Sequence, residues 1–359
     1  MPKTGTAILP LHYGKPPERL FRRMVQLGGI LCDLISEKFG TEKLISKFAD
    51  PFWFHSFALA TGFDWNSSGT TTVLLSALKE YYASHGDGLI VIGAKGNGFS
   101  TIRDQFSEAG KVAGSKFMEE AFIVSRDVAR VDNNLLQDSF DLYLQYMVTD
   151  GHTWSIVQQG MNPGIRLARR YHWHSGISGE LYDDARSGLS GSRIMDGVLD
   201  LSTIASTGNR DGILAVIQDN PEKYAGSIGR GKQKTLEMGN AEGKFLNVDV
   251  RINWKKLREI YEYSPSGFQE LYRMKGVGKS TVRALSYLSE IIYGKEPSFS
   301  DPLKFSFALG GKDGIPKPVD YADYDACISF FGEVLGKRGF DRSIDLLIDN
   351  LARSGFNLR

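Results

Sequence analysis

The sequence predicts an α+β protein, an N-terminal α/β-like domain with a β-hairpin followed by an all-helical C-terminal domain. Three observations carry that expectation. Two runs of β-formers, 143–148 and 153–158, flank Asp150-Gly151, a dipeptide suited to the positive backbone angles of a hairpin turn. Apolar residues recur at helical spacing ahead of the hairpin, as in Leu20, Phe21, Met24, Leu27 and Leu31. Residues 225–244 then lose nearly all apolar period and fill with Gly, Lys and Gln, and the chain beyond them reads as helical. The expected division is 1–224 for the first domain, a flexible basic linker over 225–250, and 251–359 for the helical domain.

Each element has its own local reason. Pro16 and Pro17 suit a helix start ahead of the first apolar stripe. The ring-rich stretch Pro51-Phe52-Trp53-Phe54-His55-Ser56-Phe57 is expected in the core, since rings bury the most area. Residues 70–82 and 117–130 have helical spacing, and Leu89-Ile90-Val91-Ile92 is a short buried strand. The glycines that follow it, Gly93, Gly96 and Gly98, lack the order of a dinucleotide fingerprint, so no nucleotide cofactor is expected. Asn162-Pro163 reads as the cap and first turn of a helix that would carry Arg166, Arg169, Arg170 and His172. Further helices are expected over 212–217, 253–261, 266–273, 279–293, 320–335 and 341–351.

Composition narrows the function classes. Hydrophobic residues make up 42% and charged residues 24%, which excludes a largely disordered chain. No apolar run reaches the roughly 18 residues that a membrane span needs. The N-terminus lacks the apolar run of a secretion signal. Cys32 and Cys327 lie too far apart in sequence to suggest a disulfide scaffold or a zinc ribbon. A reduced, cytoplasmic protein without membrane contact is expected. Net charge is only +1, but residues 223–295 hold 14 Lys and Arg against 7 Asp and Glu.

The sharpest motif lies in that basic stretch. Gly278-Lys279-Ser280 ends like a phosphate-binding loop, but Arg273 stands where that loop needs a glycine and no strand precedes it. The segment instead resembles a helix-hairpin-helix. Met274 closes the first helix, Gly276-Val277-Gly278 makes the bend, and Ala284 permits close packing of the second helix. Lys275, Gly276, Val277, Gly278, Lys279, Ser280 and Thr281 would then grip a sugar-phosphate backbone. Free N–H groups and the positive end of the second helix suit phosphate, and such contacts carry little sequence information. A tight helix–helix turn with solvated lysines fits the same residues. A glycosylase of the hairpin class would place a catalytic lysine near Ser280 and an aspartate further on, for which Asp301 is a candidate at longer spacing.

Several passages spread over the chain are distinctive together. They include Thr4-Gly5-Thr6 with Leu9-Pro10-Leu11-His12, then Ser125-Arg126, Val131-Asp132-Asn133 and Gln137-Asp138. Val157-Gln158-Gln159-Gly160-Met161-Asn162 leads to Ala168-Arg169-Arg170-Tyr171-His172-Trp173, and Gly310-Gly311-Lys312-Asp313-Gly314-Ile315-Pro316 follows the hairpin and Gly294. On these passages the chain resembles the domain of unknown function 763 family of uncharacterised prokaryotic proteins. The resemblance implies an archaeal or bacterial origin and no activity. Family members carry a basic, histidine-containing segment near position 240, where this chain has Met238-Gly239-Asn240.

The polar residues of those passages form the second candidate site. Asp132 and Asp138 are oxygen ligands of the kind magnesium or manganese prefers. A metal-activated water with arginines to balance phosphate charge is the equipment of a phosphodiester hydrolase. Catalytic candidates are Asp132, Asp138, Gln158, Gln159, Arg166, Arg170 and His172, with Asp132 and Asp138 as the metal ligands. Only one of Gln158 and Gln159 can face a given cleft if they lie on a strand. Helix caps, ion pairs and core packing account for the same residues one at a time. The expected function is DNA binding in repair or processing, as a metal-dependent nuclease. A non-catalytic nucleic-acid adaptor is the alternative, with a glycosylase-like or RNA-processing enzyme behind it. DNA, or RNA, is the expected partner.

Overall fold

A computed structural model of the protein describes residues 16–61, 68–85, 88–220 and 253–303, with the shorter pieces 3–6, 9–11, 14, 223, 236–239 and 245–248. The helices expected over 320–335 and 341–351, Cys327 and the loop at 310–316 lie outside the described residues. The fold is α+β. Its centre is a six-stranded sheet in the order β1 (Lys3–Thr6), β7 (Gly188–Gly191), β6 (Leu167–His174), β5 (Trp154–Asn162), β4 (Asp141–Thr149), β2 (Ile90–Lys95). All neighbours are antiparallel except β1 and β7. The β4–β5 hairpin stands where Asp150-Gly151 predicts it. Gly151 takes φ 87°, and the Asp150 carboxylate accepts from the amides of His152 at 2.9 Å and Thr153 at 2.7 Å.

Helices cover both faces of the sheet. On one face lie α1 (Glu18–Phe39), α2 (Thr41–Phe48), α3 (Pro51–Ala60) and α4 (Gly69–His85). Their apolar sides, with Phe48, Trp53, Phe54 and Phe57, pack on Leu144, Tyr146, Val148 and Val157 of the sheet. The ring-rich stretch is the helix α3, started by Asp50, whose side chain caps the amides of Phe52 and Trp53. On the other face lie α5 (Ile102–Ala113), α6 (Ser115–Arg130) and α7 (Thr207–Gln218), packed on Ile92, Met147, Ile156 and Trp173.

The expectation of a separate helical domain from 251 meets a different arrangement in the described part of it. Residues 254–293 form α8 (Trp254–Tyr263), α9 (Phe268–Arg273) and α10 (Lys279–Tyr293). Their Leu257, Phe268, Leu271, Val282 and Leu285 join the same core as α6, α7 and the sheet. The α7–α10 contact is close enough that a Cβ on Gly212 would stand 2.0 Å from Ser289 Oγ. Asn209 donates to the Ser286 carbonyl at 3.0 Å, and Ser289 Oγ donates to the Asn209 carbonyl at 2.9 Å, so the seam is polar, buried and hydrogen-bonded. Within the expected linker, backbone strands β9 (Leu236–Gly239) and β10 (Phe245–Val248) pair antiparallel.

One expected element has the wrong type. The segment after Asn162-Pro163 is the strand β6, not a helix. Asn162 does cap, but it caps a turn: its Oδ1 accepts from Gly164 at 3.0 Å and Ile165 at 3.3 Å. The chain reverses there, and β6 pairs back on β5.

Candidate functional site

Strand alternation sorts the expected catalytic residues onto two faces. On β6, Arg169, Tyr171 and Trp173 face α5–α7, while Arg170 and His172 face α1–α4. Gln158 pairs across from Tyr171 and Gln159 from Arg170, so the two glutamines part as their spacing requires. Arg166 joins neither group. It is an exposed turn residue at φ 55°, and its carbonyl accepts from the Leu11 amide at 2.9 Å. Arg166 and Arg170 therefore do not share a helix, as the helix expected after Asn162-Pro163 would have placed them.

On the first face the charges are all matched. Asp138 Oδ2 accepts from Arg169 Nη1 at 3.0 Å and from the Tyr171 hydroxyl at 2.8 Å, and its Oδ1 accepts from the Phe140 amide at 3.1 Å. Arg169 also grips both oxygens of Asp301, with Nη1 to Oδ1 at 3.0 Å. Gly191 stands opposite Arg169 because a Cβ there would meet its Cγ at 3.0 Å. Asp132 sits in a single π-helical turn, Val131–Leu135, ahead of the short strand β3 (Leu136–Gln137), which pairs with β8 (Leu199–Asp200). Its Oδ2 accepts from the Trp173 indole at 2.6 Å and its Oδ1 from Arg186 Nε.

Asp132 and Asp138, the expected metal ligands, are each engaged inside the protein. All four carboxylate oxygens already accept hydrogen bonds, and the two residues belong to different ion pairs. Among the described residues no three His, Cys, Asp or Glu side chains are grouped to hold a metal ion. Burial raises the Asp132 pKa to about 6, against the pull of Arg186. Burial also raises Asp138, against Arg169. For Arg169, burial acts to lower the pKa, but the charges of Asp138 and Asp301 outweigh it and raise it.

On the second face, Arg170 carries a charge with no ion-pair partner among the described residues. Arg170 is 0% exposed, and its Nε, Nη1 and Nη2 have no hydrogen-bond partner among the described residues. The Phe54 ring lies 4.7 Å from the guanidinium carbon. Gln159 on β5 and Ser190 on β7 stand directly across from Arg170, and His172 lies two residues along the same strand. Gln159 Oε1, Ser190 Oγ and His172 Nε2 are also buried without a partner among the described residues. A bulge between Leu142 and Leu144 lets Tyr143 turn its hydroxyl toward the Gln159 amide, which also donates to the Ser68 carbonyl at 2.9 Å. Burial lowers the Arg170 pKa to about 9, which still leaves it charged at neutral pH. Burial and the nearby Arg170 charge lower His172 to about 3, so its ring is neutral. Sequence reasoning found Arg170, His172 and Gln159 but missed Phe54, Tyr143 and Ser190. Reading β6 as a strand would have pointed to its cross-strand neighbours.

The bend at 274–278 is a separate surface. Gly276 takes φ 82°, and a Cβ there would press on Lys256 Nζ at 3.0 Å. Lys256 crosses the bend to donate to the Lys275 carbonyl at 2.9 Å. Lys275, Gly276 and Ser280 are exposed, Gly278, Lys279 and Thr281 are half-buried, and Val277 is buried as the apolar plug between the two helices. The helix that follows begins at Gly278 with no side-chain cap and no acidic residue in its first turn. Lys279 pairs with Asp141, and Lys256 also meets Glu259. Gln137 accepts from Arg283 Nε at 2.6 Å and donates to the Lys279 carbonyl at 3.0 Å, pinning the start of α10 to the rest of the molecule.

No described helix is long and apolar enough to cross a membrane. No curated protein and no solved structure matches the chain. A family model does match, over residues 5–319, and its description is a protein of unknown function, DUF763. The chain belongs to the DUF763 family.

Proposed function

We propose that the protein binds nucleic acid through the bend between α9 and α10, acting as a helix-hairpin-helix that grips the sugar-phosphate backbone without reading its sequence. The observation that supports this most is the uncapped start of α10 behind a left-handed glycine, half-buried except at the exposed Ser280, with Lys275 and Lys256 beside it. Unpaired amides and a helix dipole at that point favour a phosphate oxygen, and the lysines add charge. Val277 and the contacts of Gln137 hold the bend rigid, so little ordering accompanies binding. DNA processing or repair is the setting proposed for this grip, with RNA as the second arm of the test. The hydrolase half of the expectation draws no support from Asp132 and Asp138, whose oxygens are already engaged, so the reading favoured is binding without metal-dependent cleavage by that pair.

Fluorescence anisotropy of the full chain with labelled duplex DNA, single-stranded DNA and RNA tests the proposal. Binding should be independent of sequence and should weaken steeply with salt. Lys275→Glu should lower affinity about tenfold while leaving stability within about 0.5 kcal/mol of wild type, as for other exposed sites. No binding at low ionic strength, or binding indifferent to Lys275→Glu and Ser280→Glu, would end the proposal. Incubating the same substrates with Mg²⁺ or Mn²⁺ should return them uncut. Metal-dependent cleavage lost in a folded Asp132→Asn variant would restore the nuclease reading.

A further inference from the structure

We propose that the sheet face around Arg170 holds a resident oxyanion that carries a proton, a hydrogen phosphate group. The site does not involve the bend, and the inference stands apart from nucleic-acid binding.

A guanidinium taken out of water without a counter-charge is unfavourable by several kcal/mol. The Arg170 guanidinium carbon lies over the Phe54 ring, 4.7 Å from its centroid. A contact of that kind offsets part of the cost, but it leaves the N–H groups at the edge of the guanidinium unmet. Among the described residues nothing accepts from them. Arg169 shows how this protein matches a buried guanidinium charge internally: two carboxylates and the Arg193 carbonyl meet Nη1 and Nη2, and only Nε is left without a partner among the described residues. No carboxylate is paired with Arg170 among the described residues, so the missing negative charge is assigned to a ligand.

The neighbouring atoms define what the ligand carries. Ser190 Oγ is an available donor beside Arg170, suited to anionic oxygens. Two other open atoms are acceptors. His172 Nδ1 lies 2.8 Å from the Phe48 carbonyl, which can only accept, so Nδ1 holds the ring's proton and Nε2 is a bare lone pair. The Gln159 amide nitrogen is committed to Ser68 and Tyr143, so its free atom is the carbonyl oxygen Oε1. A carboxylate or sulfate satisfies the arginine and leaves both acceptors unmet. A hydrogen phosphate satisfies the donors through P–O⁻ toward Arg170 and Ser190 and one of the two acceptors through P–O–H, toward His172 or Gln159. Water fills the acceptors but supplies no charge. Because the site is closed to solvent, the anion exchanges only when the helical cover opens, and it stays with the folded protein through purification.

The test uses full-length protein prepared without added phosphate and dialysed exhaustively. It is unfolded in guanidinium, and the filtrate is analysed by ion chromatography and mass spectrometry, before and after phosphatase treatment. Stoichiometric phosphate is expected, free at once if the ligand is inorganic and only after phosphatase if it is a monoester. Arg170→Gln should lose it. Ser190→Ala, a milder change on the same face, should retain the fold and carry less. In parallel, stripped and refolded wild type is heated in increasing inorganic phosphate, with chloride at equal ionic strength as the control. A phosphate-specific rise in Tm that Arg170→Gln lacks also supports the site. A filtrate without phosphate in either form, together with a Tm indifferent to phosphate, overturns the proposal. A stoichiometric carboxylic acid in its place overturns the assignment of the ligand.

Discussion

Arg169 and Arg170 are adjacent in sequence, fully buried and on opposite faces of one strand, yet they are treated in opposite ways. Arg169 is held by Asp138 and Asp301, and its removal would strand two charges. Arg170 is held by a phenylalanine ring and has open hydrogen-bonding atoms around it. The contrast separates a cation matched by carboxylates from one whose guanidinium nitrogens have no partner among the described residues. Burial alone does not distinguish them; the partner set does.

The largest expected effect lies on the matched side. Arg169→Met should lower stability by about 3–5 kcal/mol, as when one partner of a buried ion pair is removed, read from the urea midpoint. A cost below about 1 kcal/mol, the size of an exposed pair, would show that Asp138 and Asp301 do not depend on it. The next effect lies on the unmatched side and is set by pH. His172 has a folded pKa near 3 against an ordinary 6.5, so the folded state binds fewer protons between those values. Its contribution to stability is complete above about pH 6.5 and is lost as pH falls toward 3. Asp132, raised to about 6, works in the other direction and contributes more as pH falls from 6 toward 4. Comparing wild type with His172→Gln cancels Asp132, and the variant should lose less stability on acidification. In protein first stripped of its anion, added phosphate should shrink that difference, because an anion beside Nε2 raises the histidine's pKa.

Smaller effects test single contacts. Trp173→Phe keeps a ring in the core but removes the indole donor to Asp132, and should cost about 1–3 kcal/mol. Gly276→Ala forces a Cβ into a left-handed position against Lys256, at about 1–2 kcal/mol, with weaker nucleic-acid binding beside it.

The sequence shows local features clearly and long-range ones poorly. Asp150-Gly151 located the hairpin, and apolar spacing located α6 and α10, because turn chemistry and periodicity are local. Asn162-Pro163 misled because an asparagine that caps a helix can equally close a turn, and only the pairing of β6 with β5 decides between them. That one choice moved Arg169 and Arg170 from one helix surface to two faces of a sheet. The partners of Asp132 and Asp138 lie 54 and 31 residues away, at Arg186 and Arg169, a pairing no spacing rule reports. The fusion of α8–α10 with the sheet's core was equally hidden, since a glycine-rich stretch looks like a linker whether or not the helices beyond it dock.

The most direct measurement is urea unfolding of wild type and Arg170→Met, each stripped of anions and then examined with and without inorganic phosphate. If Arg170 serves a ligand, the stripped variant is at least as stable as stripped wild type, because an uncompensated charge has been replaced by an apolar side chain. Phosphate then raises the midpoint of wild type and leaves the variant unchanged. A variant that is weakened in the absence of phosphate, beside a wild type that phosphate does not stabilise, would show that Arg170 is as structural as Arg169 and would contradict the account.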